Sequence, residues 1–142
     1  MIIDTVIGRV IFNISEGKVS SVQLTDSLEV SFPNNYLPIG LPESINYVNP
    51  NVLTPFQLLV FGEVCHVKPG QTIFYSDLAS KIGSGSRAVA TALSRNPCPI
   101  LIPCHRVVSK NDGIGGYIWG AIIKKKLLDY EKEGRGIIVK NI

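Results

Sequence analysis

From Ile2 to Phe32 the chain is strand-like: β-branched residues dominate from Ile2 to Ile14, and two later runs alternate apolar with polar positions. That pattern fits strands that bury one face. Glu16-Gly17-Lys18 interrupts the run, Val19 to Leu24 alternates, and Thr25-Asp26-Ser27 interrupts it again. Leu28, Val30 and Phe32 then alternate with polar neighbours. The expectation is a three-stranded antiparallel meander. Residues 33–55 contain five prolines, a composition suited to a connector.

From Thr54 the period becomes helical. Thr54-Pro55-Phe56-Gln57 offers a capping threonine, a proline in the first turn and a glutamine three residues after the cap. Phe56, Leu59, Val60, Val64 and Val67 follow at helical spacing, and Lys68-Pro69-Gly70 ends the element. A second helix is predicted from Ser76, as its cap, through Leu78, Ala79 and Ile82 to Gly83. A third runs from Arg87 to about Arg95 after the short turn Gly83-Ser84-Gly85-Ser86. This is the outline of a helix-turn-helix, although any αα-hairpin shares it. The third helix carries small residues (Ala88, Ala90, Thr91, Ala92) between Arg87 and Arg95, which suits either close core packing or close approach to a nucleic-acid backbone.

The last helix is predicted from Trp119 to Glu133, with Ile123, Leu127, Leu128 and Tyr130 as its apolar stripe and Lys124-Lys125-Lys126 toward solvent. Glu131 follows Leu127 and Leu128 by four and three positions, so it projects from the buried side. A carboxylate there needs a partner. A rim lysine and His105 both meet that need. The fold class is therefore α/β in the α+β sense. A small antiparallel β lobe with its linker occupies 1–53, and a mainly helical lobe occupies 54–142.

A chain of 142 residues can bury a core unaided. No stretch approaches the ~20 apolar residues of a membrane span, and the first residues do not read as a signal peptide. Cys65, Cys98 and Cys104 are an odd set without paired spacing, so a cytoplasmic protein without a disulfide framework is expected. With His66 and His105 they match no zinc pattern, and no metal is expected. The net charge of +3 hides an asymmetry: residues 1–53 carry two basic and five acidic groups, and 54–142 carry twelve and six. A basic half serves a phosphate-bearing partner or is an ordinary solvated surface.

The densest chemistry lies at Pro99-Ile100-Leu101-Ile102-Pro103-Cys104-His105-Arg106. Prolines on both sides restrict the backbone. Two flanking groups able to carry positive charge are expected to favour thiolate at Cys104, and thiolate is the nucleophile.

With its flanks, Asn96-Pro97-Cys98 before and Val107-Val108 after, this octet resembles the active-site signature of the O6-alkylguanine-DNA alkyltransferases, the methylated-DNA–protein-cysteine methyltransferases. The similarity extends from about Phe56 to Glu133. It implies a winged-helix-like helix-turn-helix and a single-turnover transfer of the alkyl group from guanine O6 to Cys104, possible also from O4 of thymine. By position it implies that Glu131 orients His105, that His105 acts on Cys104 through a water, and that Asn96 braces the turn. Tyr75 matches the tyrosine that helps turn the nucleotide out. Arg87 matches the arginine that fills the gap in the stack, with Ala88, Thr91, Arg95 and Arg106 as further DNA contacts. Cys104, Tyr75, Val107, Tyr117, Ile118 and Trp119 form the implied pocket. The implied partner is double-stranded DNA containing O6-alkylguanine, bound by a monomer without a cofactor.

This chain has Ile118-Trp119 where such proteins often have Ser-Gly. The backbone N–H at 118 remains available, and the indole at 119 is expected to crowd the pocket mouth and slow bulky benzyl adducts. A turning-over cysteine hydrolase, a binder of alkylated bases without repair, and a plain helix-turn-helix regulator are the competing readings.

Overall fold

The computed structural model describes residues 2–5, 7–25, 40–111, 113–134 and 138–141. In chain order the elements are β1 (Ile2–Thr5), β2 (Gly8–Ser15), β3 (Lys18–Thr25), α1 (Pro55–Val64), β4 (Ile73–Phe74), α2 (Tyr75–Lys81), α3 (Ser86–Ser94), β5 (Val107–Val108), α4 (Ala121–Lys132) and β6 (Ile138–Asn141). Short 3-10 turns cover Pro42–Tyr47, Pro50–Val52 and Cys104–Arg106.

The N-terminal sheet is antiparallel in the order β3-β2-β1-β6. A meander is present, but its strands divide differently from expectation. The Ile2–Ile14 run is two strands, because the chain reverses between Thr5 and Gly8, where Gly8 adopts φ 125°. Thr5 Oγ1 donates to the Gly8 carbonyl at 2.7 Å and closes that turn. The alternation expected at Leu28 to Phe32 lies outside the described residues. The strand beside β1 comes instead from the far end of the sequence, residues 138–141.

Helix α1 begins as its sequence specifies. Thr54 Oγ1 accepts from the Gln57 N–H at 3.1 Å, and Gln57 Oε1 accepts from the Thr54 N–H at 3.0 Å. Its buried stripe, however, is Gln57, Val60, Phe61 and Val64, while Leu59 is 51% exposed. Gln57 fixes that rotation. Its Nε2 donates to the carbonyls of Ala92 and Arg95 at 3.5 and 3.3 Å, capping the end of α3. Helices α2 and α3 flank a short turn in which Gly83 takes φ 66°. Ser76, expected as a cap, lies inside α2, where its carbonyl accepts from Ser80 Oγ. The two-stranded parallel pair β4–β5 brings the start of α2 beside the Cys104 segment.

One apolar cluster unites these parts. It joins Val10, Phe12, Val19 and Val22 of the sheet to Val60, Leu78, Val89, Ile100, Ile102 and Leu127. Across the middle, the Val22 N–H donates to the Pro97 carbonyl at 2.8 Å and the Gly40 N–H to the Leu101 carbonyl at 3.3 Å. Among the described residues, no helix is long and apolar enough to cross a membrane.

Candidate active site

The turn that presents Cys104 is built around Asn96, which is 1% exposed. Asn96 Oδ1 accepts from the Cys98 N–H at 2.9 Å, and Nδ2 donates to the Ile102 carbonyl at 3.3 Å and to Cys104 Sγ at 3.1 Å. The Ile102 N–H closes onto the Cys98 carbonyl at 2.9 Å. Inside that loop Ile100 sits at φ 75°, left-handed backbone that costs a β-branched residue on the order of 1–3 kcal/mol. Complete burial of Ile100 among Leu101, Ile102 and Cys98 holds it there. Local strain is thus stored beside the thiol. Cys104 opens the 3-10 turn and meets a cavity of about 720 Å³, whose other walls include Tyr75, Arg87, Ala90, Gly116, Tyr117 and Ile118.

Behind the thiol lies a buried chain of charge. His105 Nε2 is 2.7 Å from Glu131 Oε1. The Glu131 carboxylate also receives Arg106 Nε at 3.0 and 3.2 Å, and Arg106 Nη2 through a further short contact with Oε2. Burial works against ionisation of Glu131, but the bonds from His105 and Arg106 overcome it and hold its pKa at about 2. Burial also lowers the His105 pKa, outweighing the carboxylate's pull. The pair is therefore a neutral imidazole donating from Nε2–H to a carboxylate whose charge Arg106 balances. Nδ1 is left as an acceptor. Nδ1 and the Tyr117 hydroxyl are both buried without a protein partner among the described residues, and the two rings meet edge-on at 6.3 Å.

The expected thiolate-favouring environment is reversed at this point. Burial pushes the Cys104 thiol up to about 11, with the Asn96 hydrogen bond and the charge of Lys124 pulling the other way. Arg106 is occupied by Glu131 and His105 is neutral, so neither neighbour in sequence supplies the expected positive field. Lys124 supplies it instead. Sequence reading placed this lysine in solvent, yet it is fully buried. Its Nζ donates to the carbonyls of Val107 at 2.6 Å and Gly116 at 3.0 Å and lies 5.7 Å from the Tyr75 ring centre. Burial draws its pKa down to about 8. The signal available in the sequence was spacing: Lys124, Leu127 and Glu131 share one helix face, which is the buried face of α4.

The model of the 6-O-methylguanine DNA methyltransferase DNA-binding domain matches residues 55–133, more than half of the sequence. The chain belongs to this family. A methylated-DNA–protein-cysteine methyltransferase of Metallosphaera sedula is 50% identical over 76 residues, 54% of this chain and 48% of that protein. One from Saccharolobus solfataricus is 45% identical over 94 residues, 66% of this chain and 59% of that protein. The chain spans about half the length of the curated relatives it matches. The O6-methylguanine-DNA methyltransferase structure from Pyrococcus kodakaraensis superposes with a TM-score of 0.69 at 29% identity, covering 87% of this chain and 90% of that one. A Mycobacterium tuberculosis OGT, solved in complex with DNA, shares the fold at 24% identity and the same TM-score of 0.69, covering 94% and 93%.

Set against this methyltransferase family's signature, the structure brings Cys104, His105, Glu131 and Asn96 into one connected cluster. Tyr75 joins them at the cavity wall, where its hydroxyl lies 3.5 Å from the Gly116 carbonyl. Gly115 permits that approach. A Cβ there would stand 3.0 Å from the Tyr75 ring, at φ 78°. Arg87 lines the cavity and is exposed at the head of α3, while Ala88, Thr91 and Arg95 lie exposed on the same helix and its cap. Three expected positions are corrected. Arg106 is 1% exposed, its guanidinium spent on Glu131 and the carbonyls of Gly40 and Val67, so it is closed to a phosphate. Val107, the first residue of β5, is wholly buried and does not line the cavity. Trp119 is half-buried, packs edge-on against Tyr117 at 6.0 Å and is not among the residues that line the cavity. Ile118, 47% exposed, occupies the rim.

Proposed function

We propose that this protein repairs O6-alkylguanine in duplex DNA by taking the alkyl group irreversibly onto Cys104. The observation that carries the reading is the Cys104 sulfur, hydrogen-bonded by Asn96, at the wall of a base-sized cavity and backed by a His105–Glu131 pair. The Sγ–C bond forms as the C–O6 bond breaks, and that electron pair passes to the guanine. Before transfer the thiol proton leaves through His105, whose Nδ1 accepts it and passes it to solvent, and the departing guanine takes one proton back from solvent by way of the Tyr75 hydroxyl, so that it leaves neutral. Glu131 orients the ring and stabilises its protonated form. Lys124 favours the thiolate while it lasts. The thioether product has no base-labile bond, so each molecule reacts once.

A base inside a duplex conceals O6 from any such sulfur, so the nucleotide must leave the stack. Arg87, at the head of α3 on the cavity rim, is suited to fill the gap, with Ala88, Thr91 and Arg95 against the backbone. The Tyr75 hydroxyl and the Ile118 N–H are the groups suited to meet the base. Readout of this kind needs no sequence preference, as repair requires.

Intact-mass spectrometry after mixing with duplex DNA bearing O6-methylguanine tests the proposal. A gain of about 14 Da on the peptide holding Cys104, absent in Cys104→Ser, is expected. Tight binding with unchanged mass supports a binder instead, and repeated turnover per molecule supports a hydrolase.

A further inference from the structure

Gly40 lies outside the family-matched span, yet it makes two main-chain contacts with the reactive segment. Its N–H donates to the carbonyl of Leu101, three residues before Cys104, and its carbonyl accepts from Arg106 Nη1 at 2.6 Å. It adopts φ 61°, and a Cβ built there would stand 2.6 Å from Arg106 Nη2 and 3.0 Å from Nη1. Nη2 is one of the two Arg106 nitrogens that grip Glu131. Glu131 in turn holds His105. A guanidinium ends a flexible side chain, so on meeting a methyl group it moves before the backbone does. Every direction of movement costs bonds, because Arg106 is buried and its Nη1 is already shared between Gly40 and Val67. The fork onto Glu131 gives way.

We propose that Gly40 is a positioning residue for alkyl transfer: its bare Cα and its carbonyl seat the Arg106 guanidinium, which fixes the Glu131 carboxylate against His105. The proposal rests on the reading that Cys104 accepts the alkyl group. It gives the linker before the catalytic half a part in the chemistry without any contact with DNA. It also explains a glycine at this place, where an alanine would meet both strained φ and a charged group held by its partners.

The test is single-turnover transfer from a duplex carrying one O6-methylguanine, with protein in excess, read as the maximal rate constant and the half-saturating protein concentration. Gly40→Ala is expected to lower the maximal rate on the order of tenfold, the scale of losing an outer hydrogen-bond partner, with half-saturation unchanged. Arg106→Lys, a point charge without the fork, is expected to fall similarly. The double variant Gly40→Ala/Arg106→Lys is expected to be no slower than Arg106→Lys alone, because both changes break one connection. A parent-like rate in Gly40→Ala, effects that multiply in the double variant, or a loss confined to half-saturation each overturn the proposal. Should alanine at this φ prevent folding, Gly40→Asn tolerates the conformation, adds the same Cβ and carries the same expectations. Failure of the parent protein itself to gain mass overturns the function reading instead, and the two failures are distinct.

Discussion

Cys104 and Lys124 divide one charge between them. The thiol is pushed up to about 11 by burial and the ammonium drawn down to about 8 by the same cause. Below pH 8 each unit of pH multiplies the thiolate–ammonium form about tenfold. Above it, thiolate gained is matched by ammonium lost. Transfer measured under single-turnover conditions is therefore expected to climb with unit logarithmic slope to about pH 8 and then level. Lys124→Gln removes the ammonium, and its rate at pH 7 is expected to fall by about tenfold or more, with the profile still climbing past pH 9. A plateau that persists at pH 8 in that variant counts against the assignment. At this scale the sequence disclosed the candidate nucleophile, because Cys, His and Arg stand together in a proline-bounded run. It misled about the charge, because adjacency along the chain is not proximity of free charge. Arg106 spends its charge on Glu131, and the field at sulfur comes from a lysine twenty positions away.

Elements position the site through their ends. Asn96 leaves the last turn of α3 and spans the loop to Cys104 with three hydrogen bonds. Asn96→Ala is expected to destabilise the fold by about 2–4 kcal/mol, since buried partners lose their mates, with a lower melting temperature and slower transfer. Arg87→Ala, at the exposed start of α3, is expected to leave thermal stability within about 0.5 kcal/mol while reducing the salt slope of DNA binding by about one. Equal salt slopes for parent and variant would remove Arg87 from the interface. The start of α1 was readable from Thr54, Pro55 and Gln57 because a capping box is satisfied within four residues. Its buried face was not, since the Gln57 amide reaches across to α3 and turns Phe61 inward and Leu59 outward. In the same way, β1 and β2 read as one run because β-branched residues occur on both sides of the hairpin that separates them.

At the scale of the molecule, one carboxylate links fold stability to acidity. Glu131 is held at about 2 in the folded state against an ordinary value of 4.5. A depressed carboxylate contributes stability above its unfolded pKa and loses it as pH falls toward the folded one. Unfolding free energies from urea titration are thus expected to drop by about 3 kcal/mol on this account between pH 4.5 and 2, and Glu131→Gln should flatten that window. The sequence alone determined the strand character of residues 2–25, the presence of the four helices, the α1 cap, the candidate nucleophile and the inward face of Glu131, because these follow from spacing within a few residues. Tertiary structure alone decided that β6 from the far end lies beside β1, that Lys124 and Arg106 are buried, and that Gly40 abuts a guanidinium. Those outcomes depend on which distant segments share a dry interior, where each charge must find a partner, and pairing between such segments leaves no periodic trace in the chain.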